Sequence, residues 1–193
     1  MVHNIRIVPM DTNGERFEFP RITYQQNSNV CLDVNFADQY TLPRCTGFLV
    51  GPDLLLTAGH CLRTERDCRT RFKWAFELTE DLEYIKGEDI YGCDEILEQE
   101  YIENENLVLD YTLIRLDREV TNREPLRVRE SGFPALHTPL VMIGHPSHLP
   151  LKIADQALVR GFNKEELEQL FSIFKQTERS PLSQLRSIFS KKT

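Results

Sequence analysis

Residues 45–62, Cys-Thr-Gly-Phe-Leu-Val-Gly-Pro-Asp-Leu-Leu-Leu-Thr-Ala-Gly-His-Cys-Leu, set a histidine between a glycine and a cysteine at the end of a hydrophobic hairpin. Imidazole titrates closer to neutrality than any other side chain, so His60 in this setting is a candidate general base and acid. A second candidate is the carboxylate of Asp110. It lies in residues 107–118, Leu-Val-Leu-Asp-Tyr-Thr-Leu-Ile-Arg-Leu-Asp-Arg. A carboxylate among strand-type apolar residues is costly to bury unless something hydrogen-bonds it. Asp117 competes for the role, but it precedes Arg118 at the end of the apolar run, where a surface ion pair satisfies it. A nucleophile is harder to place. Of Ser131, Ser147, Ser172, Ser180, Ser183, Ser187 and Ser190, only Ser147 lies in a strand turn. It follows a proline and has no glycine after it, so it offers no nest of backbone amides for an oxyanion. His145 and His148 are spaced three apart and could share a metal, but the prolines around them preclude a helix, which favours structural or surface roles.

The elements that must hold these groups are mostly strands. Phe48, Leu49 and Val50, then Leu54, Leu55, Leu56 and Thr57, are apolar runs of strand length separated by Gly51-Pro52-Asp53, a turn sequence. An antiparallel pair brings its outer ends together, so a Cys45 to Cys61 disulfide is geometrically reasonable and would pin His60 to the sheet edge. Phe72, Trp74, Phe76 and Leu78 alternate with Lys73, Ala75 and Glu77, the period of a half-buried strand. Residues 90–97 read as a further strand. Residues 98–105 read as an acidic surface loop; the regular spacing of a calcium loop is absent. Residues 1–44 are polar and rich in turns, and residues 121–139 are a linker to a strand at 141–143. After residue 160 the pattern changes. Asn163 and Glu166 form a capping box ahead of Leu167, Leu170, Phe171 and Phe174 at helical spacing. A second short helix, from Ser180-Pro181, carries Leu182, Leu185, Ile188 and Phe189.

The 193 residues suffice for one good core or two small ones. A net charge of −7 argues against nucleic acid as a partner, because phosphate binding needs a positive face. No apolar run approaches the length of a membrane span. The five cysteines, Cys31, Cys45, Cys61, Cys68 and Cys93, include no Cys-x-x-Cys pair of the zinc type. A second bridge, Cys68 to Cys93, would leave Cys31 single, with a partner in another segment or chain. Such bridges favour a secreted or periplasmic compartment, although residues 1–10 lack the apolar stretch of a secretory signal.

The histidine segment resembles the corresponding motif of the trypsin-like (chymotrypsin-fold) serine endopeptidases of bacterial type. There a cysteine, a Ser/Thr-Gly-Phe/Trp-Leu strand and Thr-Ala-Gly/Ala-His-Cys follow in that order. The strand around Asp110 is similar to the one that supplies that family's buried aspartate. Val141 to Ile143 followed by Gly-His-Pro looks like the first hairpin of the family's second barrel, with His148 where glycine is expected. The resemblance implies a mainly β fold with a trypsin-like antiparallel β-barrel, the first barrel complete and the second incomplete, followed by C-terminal α-helices. It places an extension at 1–30, a partial peptidase domain at 31–160 and a helical segment at 161–193. It implies hydrolysis of protein or peptide substrates through an acyl-enzyme, without a cofactor. Asp110 would accept the Nδ1 proton of His60, and Nε2 would act as the base. Arg6-Ile7-Val8 matches the family's activation cleavage only weakly. The family's Gly-Asp/Asn-Ser-Gly nucleophile motif has no counterpart here, so the resemblance stops near residue 160. The alternatives are a noncatalytic pseudoprotease that binds proteins, with the C-terminal helices pairing with a partner, and a truncated gene product.

Overall fold

In a computed structural model, residues 1–3, 6–76, 78–103, 108–129 and 133–161 are described. The two expected C-terminal helices, from Asn163 and from Ser180, lie outside them. The described chain is mainly β, with twelve strands in four antiparallel sheets and one short α-helix. In chain order the strands are β1 (Val2–His3), β2 (Val8–Pro9), β3 (Arg16–Glu18), β4 (Gly47–Leu49), β5 (Leu54–Thr57) and β6 (Phe72–Ala75). They continue with β7 (Ile85–Lys86), β8 (Ile90–Tyr91), β9 (Cys93–Glu103), β10 (Val108–Leu116), β11 (Pro139–Gly144) and β12 (Lys152–Leu158). No helix among these residues is long and apolar enough to cross a membrane.

The sheet that carries the site has the order β4-β5-β10-β9. Its first hairpin forms as the turn sequence dictates: Phe48 faces Leu56 and Leu49 faces Leu55, and Val50 N–H donates to the Leu54 carbonyl across Gly51-Pro52-Asp53. Leu54 and Leu55 are buried, whereas Phe48 stays exposed, so β4 is buried on one side only. Gly47 is required by packing. A Cβ there would meet Leu55 Cδ2 and Trp74 Cζ3 at 2.6 Å, because both side chains pack directly against the glycine. Leu49, Leu55, Leu62, Phe72, Trp74, Tyr91, Ile114 and Leu116 form the main core, joined by Met1 from the chain's start.

Residues 98–105 correct an expectation. Residues 98–103 are not a surface loop, since β9 runs through to Glu103 and they pair residue for residue with β10, Glu98 opposite Leu113 and Glu100 opposite Tyr111. Strand β9 is the outer strand of its sheet. An outer strand tolerates a charged row, which also discourages pairing with another chain. Residues 90–97 likewise divide into two strands at Gly92. Its N–H donates to the Asp117 carboxylate, which also pairs with Arg118.

Strand β1 pairs with β6 and β3 with β7, and Val2, Ile7 and Phe19 share a second core with Leu42, Leu78 and Ile85. Strands of two or three residues are too short to show a period. The helix α1 (Tyr24–Ser28) was also not anticipated. It is opened by a reciprocal cap between Thr23 and Gln26 and closed by Asn29 in the left-handed region at φ 52°.

Beyond residue 121 the described regular structure is one hairpin, β11 with β12, and a single 3-10 turn at Pro146–His148. The prolines permit this turn because Ser147 takes a left-handed conformation, φ 50°. Both histidines here are structural. Each ring donates its Nδ1 proton to a carbonyl, His145 to Leu149 at 3.1 Å and His148 to Pro43 at 2.8 Å. His145 N–H also donates to Thr46 Oγ1 at 2.9 Å, which ties the hairpin to the segment beside Cys45.

Burial lowers the His145 pKa to about 4, reinforced by the Met1 amino group and by Lys152 and opposed by the Leu149 bond. The ring is therefore neutral in the folded chain, whereas an unfolded chain protonates it below its ordinary value of about 6.5. The unfolded state then binds the extra proton, so stability falls as the pH drops from about 6.5 to about 4 and levels off below. Urea titrations across this window are expected to show a slope approaching about 1.4 kcal/mol per pH unit from this group, and His145→Gln is expected to remove it.

Candidate functional site

His60 sits in a 3-10 turn, Gly59–Cys61, entered directly from β5 through Ala58 in an extended conformation. Three constraints hold this turn. The Cys45–Cys61 disulfide, with Cα atoms 6.2 Å apart, ties it to the start of β4. From the opposite side Gln99 Nε2 donates to the Gly59 carbonyl at 3.0 Å and also to that of Leu62. Gly59 itself lies hard against the sheet: a Cβ there would sit well inside contact distance of the Glu100 carbonyl oxygen, 3.1 Å from that of Tyr111 and 3.2 Å from Asp110 Oδ1. Only glycine lets the turn approach the β9–β10 pair this closely.

That approach brings His60 to Asp110, fifty residues away. Asp110 Oδ1 accepts the backbone N–H of His60 at 2.9 Å, and Oδ2 meets Nδ1 at 2.7 Å. Partial burial pushes the Asp110 carboxyl up. The hydrogen bonds from the His60 backbone and ring, the charge of the ring and the Gly59 backbone N–H outweigh this and hold it below the usual carboxylate range. The group is therefore an anion at neutral pH and can only accept, so the proton between them resides on Nδ1. In the neutral ring Nε2 then carries the free lone pair. The imidazole is half exposed, 51%, against 28% for the Asp110 side chain. A partner molecule can reach the imidazole, while the Asp110 carboxylate is less accessible than the ring. Chemically the pair can accept a proton at Nε2 and stabilise the imidazolium that results.

Tyr101, opposite Asp110 on β9, places its ring 6.4 Å from that of His60 in an edge-on arrangement. Burial, together with Glu98 and Glu100, raises the Tyr111 phenol well above its usual range, so it stays protonated.

The second disulfide, Cys68–Cys93, fixes the segment after the histidine turn to the start of β9, with Cα atoms 5.1 Å apart. Cys31 is a free, exposed thiol. The ligand atoms of Cys45, His60 and Cys61 lie within 4.8 Å of one another. Both sulfurs are in the bridge, so no thiolate is offered to a metal. Ser147 is exposed, and no hydrogen bond joins it to His60 among the described residues. Ser172, Ser180, Ser183, Ser187 and Ser190 lie outside those residues, as does Ser131.

Gln99 escaped the sequence reading. Its role rests on two bonds from a side chain to carbonyls of a distant turn, which no local pattern announces. Gly59 carried a signal, since a glycine directly before a candidate base marks a close approach of the backbone.

Neither the curated proteins nor the solved structures give a match to this chain. The family model described as trypsin-like peptidase domain matches residues 45–183, nearly three-quarters of the sequence. It begins at Cys45, includes the turn of His60 and the strand of Asp110, and extends past the described residues. The chain belongs to the trypsin-like peptidase domain family.

Proposed function

We propose that this chain is a serine-type endopeptidase of the trypsin-like family, with His60 as general base and acid and Asp110 as its orienting carboxylate. The observation that carries this reading is the doubly bonded contact in which one carboxylate accepts both the Nδ1 proton and the backbone N–H of the same histidine. A histidine merely satisfied in a core needs no second bond to its own backbone, and it would not leave Nε2 open to solvent. In this reading the sheets around Trp74 and Leu55 are the first barrel, and the β11–β12 hairpin opens the second. The substrate is a protein or peptide, attacked at a backbone carbonyl by a hydroxyl that His60 deprotonates.

A second reading, a noncatalytic pseudoprotease that binds proteins, is favoured by one observation. None of the 193 residues forms a Gly-x-Ser-Gly motif, the usual source of both nucleophile and oxyanion amides in this family. Reaction of the folded chain with a fluorophosphonate probe separates the two. The endopeptidase reading expects covalent label on one serine, mapped by peptide mass spectrometry and lost in His60→Ala. Absence of label on protein whose Trp74 fluorescence shows it folded would leave the binding-module reading.

A further inference from the structure

The two disulfides differ in access. Cys68 and Cys93 are 0 and 6% exposed, whereas Cys45 and Cys61 lie only partly buried at the rim of the same core. A dithiol reductant attacks through its thiolate and must reach a sulfur, so it opens the Cys45–Cys61 bridge first. The reductant leaves as its own disulfide, and the chain gains two thiols. Those thiols stay near where the bridge held them. The Gly59–Cys61 turn keeps the Gln99 bonds to the Gly59 and Leu62 carbonyls and the Asp110 bond to the His60 backbone. On the other side, Thr57 Oγ1 donates to the Thr46 carbonyl at 2.7 Å and Gly47 pairs with Thr57, which holds the chain next to Cys45 against β5.

We infer that the reduced chain binds a zinc-type divalent cation through Cys45 Sγ, Cys61 Sγ and His60 Nε2. The two sulfurs and a ring nitrogen of His60 already lie within 4.8 Å of one another. Zinc bonds thiolate at about 2.3 Å and imidazole at about 2.0–2.1 Å, which in a tetrahedron sets neighbouring ligand atoms roughly 3.5–3.8 Å apart. Rotation of three side chains, without movement of the sheet, closes such a set. Asp110 supplies its support. A metal-bound imidazole almost always gives its other N–H to a carboxylate or carbonyl, which fixes the ring and raises its basicity. The bond from Nδ1 to Asp110 at 2.7 Å provides that before any metal arrives and leaves Nε2 as the ligand. Half of the ring is exposed, so water can take the fourth position. Binding releases the two thiol protons. In the oxidised chain the sulfurs are bonded to each other, so the bridge gates the site. Where His60 is the base proposed above, a cation on Nε2 occupies the lone pair that would accept the proton. That consequence rests on the peptidase reading, whereas the binding itself does not.

The test uses cobalt(II) as a spectroscopic substitute for zinc, with the full chain carrying Cys31→Ser to remove the free, exposed thiol. After treatment with dithiothreitol and its removal, alkylation and mass spectrometry should find the new thiols at Cys45 and Cys61. Cobalt is then expected to give sulfur-to-metal charge-transfer bands and the visible bands of a tetrahedral site, both displaced by zinc, and the oxidised chain should give neither. Asp110→Asn is expected to weaken cobalt binding by about 10–100-fold. His60→Ala, which keeps both sulfurs and alters an exposed position, is expected to weaken it further, with Trp74 fluorescence checking the fold of each variant. Reduced protein without the charge-transfer bands would overturn the inference, as would equal bands in the oxidised chain, new thiols at Cys68 and Cys93 instead, or an affinity unchanged by His60→Ala. None of these readouts is a peptidase assay, so failure of the peptidase reading would leave them as they are.

Discussion

Asp110→Asn is expected to lower peptide hydrolysis by on the order of 10⁴-fold while leaving the fold intact. The asparagine keeps an oxygen for the His60 backbone N–H, now received by Asp110 Oδ1 at 2.9 Å, so the turn stays where it is. The other carboxylate oxygen, which accepts from Nδ1 at 2.7 Å, becomes an NH2 group that can only donate. Nδ1 must then be the acceptor, and the ring proton moves to Nε2. The base is lost because its lone pair faces the wrong way, and the charge that would stabilise an imidazolium is gone as well. Two measurements check this. Turnover of a fluorogenic peptide reports the rate. The ¹⁵N shifts of the His60 ring report the tautomer whether or not the chain turns over. An unchanged Nδ1–H tautomer in the variant would remove Asp110 from the orienting role, and loss of the folded signal would show the bond to be structural instead. Asp110→Ala, which removes both acceptors, is expected to loosen the turn as well.

How much of this could be read beforehand depended on whether the determining interaction was local. The β4–β5 hairpin was legible because Gly51-Pro52-Asp53 sits between two apolar runs, and strand β10 because its apolar residues are continuous. The pairing of Cys45 with Cys61 followed from that hairpin. Strand β9 was misread because its identity comes from β10. Six acidic residues among positions 94–105 hide a period of two, and only the partner strand shows that the backbone of residues 98–103 is bonded. The paired strands β1 and β3 were invisible for the same reason, since two or three residues carry no period and their order comes from β6 and β7. The cap of α1 is a different case: Thr23 followed by Gln26 was a local signal, present in the sequence and not used. Gln99 belongs with β9. Its side chain acts on carbonyls some forty residues away, and its position opposite Thr112 is fixed only once the β9–β10 register is known.

The dependence of the site on one missing methyl group gives the other large effect. Gly59→Ala is expected to destabilise the chain by about 2–4 kcal/mol and to separate His60 from Asp110. The added Cβ would overlap the Glu100 carbonyl oxygen and press on the Tyr111 carbonyl at 3.1 Å, and both are backbone atoms of the paired strands β9 and β10. A flexible side chain could swing aside, but these oxygens can retreat only if the register of the sheet gives way. The turn must yield instead. It is held by the Cys45–Cys61 bridge on one side and the Gln99 bonds on the other, so lifting it strains both. Asp110 Oδ1, 3.2 Å from the same Cβ, would lose its backbone donors with it. Urea unfolding followed by the fluorescence of Trp74, the single tryptophan and a buried one, measures the stability term. The ring shifts of His60 measure the separation. Gly161→Ala, at a position with nothing within 4 Å among the described residues, is the control and is expected to change stability by less than about 0.5 kcal/mol. Equal stabilities for the two variants would mean that the close approach of the histidine turn to the sheet does not shape this site.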